Sequence, residues 1–330
     1  MIGLLKSSSA KNRIFALSYF RHDFMKVYTD LNSYTSKTPL ALSLGMFDGV
    51  HRGHQSIIRE IARIAETKTL KPAILTFWPH PRLVFNPNDD LKLLNTIDEK
   101  SDLIEEYGVH YLFLQSFNEE FRNLSGEEFV RQILVEKLNV KYLIIGYDHV
   151  FGKNRSGNYN LLEKLAPELG FEVEQMEAVN IHNDHISSTK IRNALLDGKI
   201  REANEMLGYR YPVSGTVVDG KKLGRTIGYP TANIKVDSNK LLPKKGAYIV
   251  DVFVKNQRHK GMLSIGTNPT VNGDSLTTEV YILDFNEDIY GEEITVNFRE
   301  FLHEEIKFES LEKLIERLDE DKRLTEAFFH

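Results

Sequence analysis

The sequence predicts an α/β protein with an all-β appendage: a doubly wound parallel-sheet domain, then a small antiparallel β-barrel with a terminal helix. Three observations predict it. Up to Gly208, apolar runs alternate with amphipathic stretches. Between residues 212 and 301, short alternating runs are divided by loops bearing Gly and Pro. From Ser310 onward, Leu311, Leu314, Ile315 and Leu318 recur at helical spacing. A chain of 330 residues suits about two domains. We expect them at 25–208 and 209–330, after an extension at 1–24.

The elements follow in order. Pro39–Gly45 is an apolar, strand-like run. Ile57, Ile58, Ile61, Ile64 and Ala65 form a helical stripe within Gly53–Thr67. Pro72–Phe77 reads as a buried strand, 98–107 as a helix and Tyr111–Gln115 as extended. Ser125 and Glu128 form a capping box that opens a helix to Leu138. Val140–Gly146 is an apolar strand, followed by a helix at 158–169 and a strand at 171–179. Such alternation, with strands apolar throughout, implies a parallel sheet covered on both faces. Ligands of these sheets sit off the carboxyl ends of the strands. Helices at 188–197 and 200–207 end this part. Strands are then expected at Ile234–Val236, Ala247–Val254, Lys260–Ile265, Thr277–Leu283 and Ile294–Phe301, as a small barrel.

Composition narrows the chemistry. Hydrophobic residues make up 41% and charged residues 27%, a globular balance. The absence of cysteine excludes disulfides, Cys-ligated zinc or iron–sulfur sites and thiol catalysis, and fits a reducing, cytoplasmic compartment. Formal net charge is -5, so the overall field does not favour a nucleic-acid partner. No apolar stretch is long enough for a membrane span. Residues 1–22 carry Lys6, Lys11, Arg13, Arg21 and three serines at 7–9, with no acid. That pattern suits a transit peptide or a short solvated extension, and the short apolar run Ile14–Phe20 favours the extension. Residues 210–265 carry 11 basic and 3 acidic residues, whereas 266–330 carry 6 basic and 17 acidic. The basic half suits a phosphate ligand, or equally a solvated charged face.

The segment Gly45–Gln55, GMFDGVHRGHQ, carries the most chemistry. It joins the first strand to a helix. Gly45, Gly49 and Gly53 let a ligand approach the backbone, with Phe47 and Asp48 between them. His51 and His54 stand at the helix start, where free N–H groups and the dipole favour anions. Two imidazoles there suit a triphosphate whose charge grows as pyrophosphate leaves. The same residues also make a tight turn with capping histidines. A zinc pair lacks partners: the other HxxH is His182–His185, and there is neither Cys nor HExxH. In the second part, GTVVDGKK comes close to a P-loop, but Lys222 stands where Ser or Thr should bind magnesium. Gly220, Gly224 and Gly228, with Lys222 and Arg225, instead outline a basic loop suited to phosphates, or a Gly-rich hairpin.

HxGH at 51–54 resembles the signature of the nucleotidyltransferase superfamily, and with its flanks it resembles the prokaryotic riboflavin kinase/FMN adenylyltransferase (FAD synthetase) family. Phe77-Trp-Pro-His-Pro81, Gly146–Gly157 (GYDHVFGKNRSG) and Ile186–Arg192 (ISSTKIR) agree in order. In the barrel part, Pro230-Thr-Ala-Asn233, Ser264–Thr270, Thr278–Gly291 and Lys307-Phe308 agree as well. Met46 stands where the family usually has Asn, and His149 where Phe is common.

This resemblance implies two ATP-dependent transfers: riboflavin to FMN, then FMN to FAD. For adenylyl transfer it implies His51, His54 and Arg192 as charge-stabilising groups, with Asp148, Arg155, Ser187, Ser188 and Thr189 on the nucleotide. His80 and Pro81 lie by the flavin. For the kinase it implies Thr231 and Asn233 on Mg²⁺ and the ATP phosphates, Glu279 as catalytic base and Phe308 near the flavin ring. Mg²⁺ is expected in both reactions. Two other readings stand beside it: one activity alone retained, or a flavin-binding regulator without turnover.

Overall fold

The computed structural model describes residues 24–86, 89–181, 184–220, 222–270 and 273–330. The expected N-terminal extension lies outside the described residues, apart from its last residue. Among those described, the chain packs as two compact units, 24–188 and 189–330.

The first unit is built on a six-stranded sheet with the order β1-β4-β3-β2-β5-β6. The strands are β1 (Lys26–Tyr28), β2 (Leu40–Leu44), β3 (Lys71–Phe77), β4 (Tyr111–Gln115), β5 (Val140–Gly146) and β6 (Glu172–Met176). Every pairing between them is parallel. From β2 the chain steps outward through β3 to β4, then returns to lay β5 on the other side of β2. The winding therefore reverses between β2 and β5, where a crevice opens at the carboxyl ends. The sheet is apolar because both faces are covered. Leu40, Leu42, Ile74, Leu75, Phe113, Leu143 and Ile144 are fully buried. Each such side chain contributes about 1.5–3 kcal/mol of burial.

The connecting helices are α1 (Arg52–Thr67), α2 (Pro81–Phe85), α3 (Ile97–Glu106), α4 (Glu119–Asn123), α5 (Gly126–Glu128) and α6 (Tyr159–Leu169). The capping box at Ser125 forms, with its side chain accepting from Glu128 N at 3.2 Å. From Phe129 to Lys137, however, the chain winds as a wider π-helix rather than as the expected α-helix. A small hairpin follows, β7 (Asn180–Ile181) and β8 (Asp184–His185). Helix α7 (Ser188–Leu196) spans the division between the units, and α8 (Ile200–Leu207) lies in the second.

The second unit is a closed antiparallel barrel, β10-β13-β12-β11-β14-β9, with β9 pairing back onto β10. Its strands are β9 (Pro212–Val218), β10 (Ala232–Val236), β11 (Gly246–Val254), β12 (Gln257–Thr270), β13 (Gly273–Ile282) and β14 (Glu293–Glu304). A short helix α9 (Leu223–Thr226) interrupts the β9–β10 connection, and α10 (Leu311–Phe328) ends the chain. β9 escapes a reading by alternation because Gly215 breaks its pattern. A side chain there would come within 2.4 Å of the Lys235 carbonyl on β10, so barrel closure requires glycine. The expected terminal helix forms as α10, and Ser310 caps it. The helix is tied down by the Tyr229 hydroxyl donating to Asp319, and by His303 Nε2 at 2.9 Å from Asp321.

Candidate active sites

Loop 45–51 leaves the carboxyl end of β2 at the point where the sheet reverses. It is held in sparsely populated backbone conformations, with φ of 48° at Phe47, 84° at Gly49 and 33° at Val50. Surrounding hydrogen bonds hold it there. The Met46 carbonyl accepts from Thr76 Oγ1 at 3.1 Å and from Lys100 Nζ at 2.9 Å. The Val50 carbonyl accepts from Gln55 Nε2 at 2.8 Å. The Asp48 carbonyl accepts from Ser188 Oγ at 2.9 Å, and its carboxylate from Leu94 N at 3.0 Å. Met46 thus acts through its main chain, so the family's usual Asn there is not needed for these bonds.

His51 is the N-cap of α1, its Nδ1 accepting from His54 N at 3.4 Å. The two imidazoles stack with centroids 3.7 Å apart and planes 16° from parallel, and the Phe47 ring lies 5.1 Å from His54. A side chain at Gly53 would come within 3.2 Å of the His51 ring, so HxGH spacing leaves room for the stack. Burial lowers the His51 pKa to about 4. It pushes His54 well below the usual imidazole range, helped by the charges of His51 and Lys100. Both are neutral at pH 7, and His54 Nδ1 is buried without a hydrogen-bond partner. The pair is thus poised to meet an anion entering over the helix start.

A cavity of about 530 Å³ has Leu44, the last residue of β2, in its wall but no residue of loop 45–51, and is lined by aromatics, among them Phe77, Phe117, Phe121 and Phe151. Arg122, Lys153 and Arg155 edge it. His149, three residues beyond β5, helps line it with Nε2 buried and unpartnered, and burial lowers its pKa to about 4. Asp148 is exposed beside it, and Gly146 closes β5. His80 caps α2 by accepting from Arg82 N at 3.2 Å, and Pro81 is the first residue of that helix. These two residues fall between the lining residues Phe77 and Phe85. Ser187 and Ser188 belong to this unit, whereas Thr189 and half-buried Arg192 belong to the other by their packing. His182 and Lys221 lie outside the described residues.

In the barrel, β10 places Asn233 directly opposite Glu279 of β13. Thr231 Oγ1 donates to Glu279 Oε2 at 3.1 Å. The expected trio is therefore assembled at one strand junction. Gly220 packs against this point so closely that a side chain would fall 2.1 Å from Asn233 Nδ2. A side chain at Gly224 would fall 2.2 Å from the Tyr229 carbonyl. Gly228 has φ 83°, and Lys222 has φ 58° with its ammonium 2.8 Å from Asp219. Arg225 is exposed on α9, and Phe308 is partly exposed just before α10. Close backbone approach and exposed basic side chains therefore meet at this junction, an arrangement whose chemistry suits an anion.

Two family models match, FAD synthetase over residues 33–190 and riboflavin kinase over residues 207–329. The curated bifunctional riboflavin kinase/FMN adenylyltransferase of Listeria monocytogenes is 42% identical over 92% of this chain and 94% of its own. The chain belongs to the bifunctional riboflavin kinase/FMN adenylyltransferase family. The Haemophilus influenzae member is 36% identical over 88% of this chain and 94% of its own. A solved chain from Streptococcus pneumoniae, described as a macrolide-efflux protein, aligns with TM-score 0.83 and 32% identity over 92% of this chain and 99% of that one. Among the described residues here, no helix is long and apolar enough to cross a membrane. Family membership carries riboflavin kinase and FMN adenylyltransferase as the two activities. Lys100, which touches the signature loop, was missed by motif reading because it belongs to no signature.

Proposed function

We propose that the barrel phosphorylates riboflavin and that the parallel-sheet unit adenylylates the resulting FMN. The observation that carries this is the assembly of each motif set on its own scaffold: Thr231, Asn233 and Glu279 at one barrel junction, and His51 and His54 at the sheet's reversal point.

In the barrel, Glu279 accepts the proton of the ribityl 5′-hydroxyl as that oxygen attacks the γ-phosphorus of ATP, and ADP leaves. The Thr231 hydroxyl and the Asn233 amide oxygen are hard donors that would hold Mg²⁺. When bound, Mg²⁺ neutralises charge on the phosphates. Gly220, Lys222, Gly224, Arg225 and Gly228 surround the phosphates, and Phe308 lies toward the flavin.

In the sheet unit, an FMN phosphate oxygen attacks the α-phosphorus of ATP and the bond to pyrophosphate breaks. No covalent enzyme intermediate is needed. Positioning and charge stabilisation carry the rate. His51 and His54, neutral in the free protein, meet the growing charge through their N–H groups beside the free amides of α1. Ser187, Ser188, Asp148 and Arg155 keep the nucleotide-facing roles that their motifs imply. The aromatic cavity beside His149 receives the isoalloxazine ring, with His80 and Pro81 at its approach. We place both reactions in the cytoplasm, where ATP is available, with FMN released and rebound between them.

Incubation of the purified chain with riboflavin, ATP and Mg²⁺, followed by separation of the flavins, tests this. FMN and FAD both accumulate if the reading holds. FMN alone leaves only the kinase, and unchanged riboflavin overturns both halves. An excess of unlabelled FMN added to labelled riboflavin tests release, since undiluted label in FAD contradicts it.

A further inference from the structure

A lysine buried beside the adenylyl-transfer loop calls for a reason. Lys100 lies on α3 and is 2% exposed. Lysine is almost never buried so completely without a partner. Its ammonium donates to the Met46 carbonyl at 2.9 Å and lies 5.7 Å from the centroid of the Trp78 ring. Met46 immediately precedes Phe47, whose strained backbone sets its ring against His54. Lysine to carbonyl, carbonyl to Phe47 and Phe47 to His54 form one continuous chain of packed groups.

We propose that Lys100 is a positioning residue for adenylyl transfer, its ammonium pinning the Met46 carbonyl so that loop 45–51 presents His51 and His54 to the triphosphate. The role rests on the adenylyltransferase reading of this site.

The groups facing Lys100 are few. Asp48, from the loop after β2, favours its charge. His54, from α1, is neutral at pH 7 and is held so partly by Lys100. On its own helix, neighbouring Glu99 is turned back to the Thr96 amide at 3.0 Å. Burial outweighs Asp48 and lowers the Lys100 pKa to about 8. The ammonium is therefore lost just above neutral pH, and adenylyl transfer slows as it goes. Stability moves the opposite way. The unfolded chain keeps the proton up to about pH 10.4 while the folded one releases it, so folding strengthens as pH rises across that window. An alkaline loss of activity from this cause is not unfolding.

The chain holds a single tryptophan, Trp78, so Lys100 has a reporter independent of turnover. In the ligand-free wild type, Trp78 emission should change with a midpoint near pH 8, and the rate of FAD formation from supplied FMN should fall over the same range. Lys100→Arg keeps a charged donor at all these pH values. It should retain most of the neutral-pH rate, flatten the Trp78 titration and remove the alkaline fall. Lys100→Met should lower kcat by roughly tenfold or more at every pH. A Lys100→Met enzyme as active as wild type overturns the proposal. So does a Lys100→Arg enzyme that keeps the same titration and alkaline fall, or that is as impaired as Lys100→Met. If wild type forms no FAD at any pH, the adenylyltransferase reading fails instead, and the Trp78 titration still reports on Lys100.

Discussion

His51 and His54 stack face to face at 3.7 Å over the first turn of α1, His51 buried, His54 half-buried and both neutral in the free protein. Such a pair is costly to charge until an anion arrives. A triphosphate seated on them raises both pKa values, because an opposite charge favours the protonated ring. ATP binding to this unit should therefore take up protons above about pH 4, where His51 is neutral in the free protein. Calorimetry in buffers of differing ionisation enthalpy checks this, and the uptake should fall in His51→Gln, where only His54 is left to gain a proton.

Gly220 and Asn233 cannot both keep their places if Gly220 gains a side chain, because its Cβ would lie 2.1 Å from Asn233 Nδ2. Displacing a phosphate-facing group by about 1 Å can cost about a hundredfold in rate. Gly220→Ala should lower riboflavin phosphorylation by about that factor. FAD formation from supplied FMN, at the other motif set, should stay at the wild-type rate.

His149 leaves an imidazole nitrogen buried and unpartnered in the aromatic cavity. An unsatisfied buried polar atom costs about 1–3 kcal/mol. His149→Phe should therefore raise the melting temperature by a few degrees. If that nitrogen bonds the polar edge of the flavin, the same change raises the KM for FMN about tenfold while kcat holds. Melting curves and initial rates measure the two effects separately.

Acid should weaken the first unit. His51 and His149 have folded pKa values of about 4, below the ordinary imidazole value of 6.5, and His54 is depressed too. Between those limits the unfolded chain binds protons that the folded one refuses, so stability is lost as pH falls from 6.5 toward 4. Glu106 opposes this. Burial raises its pKa from 4.5 to about 7, so its contribution is complete below 4.5 and is lost as pH rises through 7. Three histidines outweigh one carboxyl. Trp78 emission, which reports on this unit alone, should show a lower denaturation midpoint at pH 4.5 than at pH 7.

The parallel sheet was legible because its strands are continuous apolar runs: β4 and β5 fall on Tyr111–Gln115 and Val140–Gly146, as expected. β1 was not, since three residues at a sheet edge carry no period. Strands β12 and β13 run well beyond their expected cores, because a barrel ladder continues through residues whose apolar alternation has ended. At the sites, His51 stacks on His54, and Thr231 and Asn233 meet Glu279, as their signatures imply, whereas Arg192 packs with the other unit. Lys100 was hidden in a helix, although Leu103 and Ile104 mark it as lying on that helix's buried stripe. A charged residue on an apolar stripe was the signal available. The backbone strain that makes Lys100 matter is visible only in three dimensions.

The division of labour is tested most directly by separating the flavins formed by Glu279→Gln and His54→Ala. Glu279→Gln should leave riboflavin unphosphorylated yet convert supplied FMN to FAD at the wild-type rate. His54→Ala should accumulate FMN from riboflavin and form almost no FAD. Loss of both reactions in either variant, with the protein still folded, would contradict two independent sites.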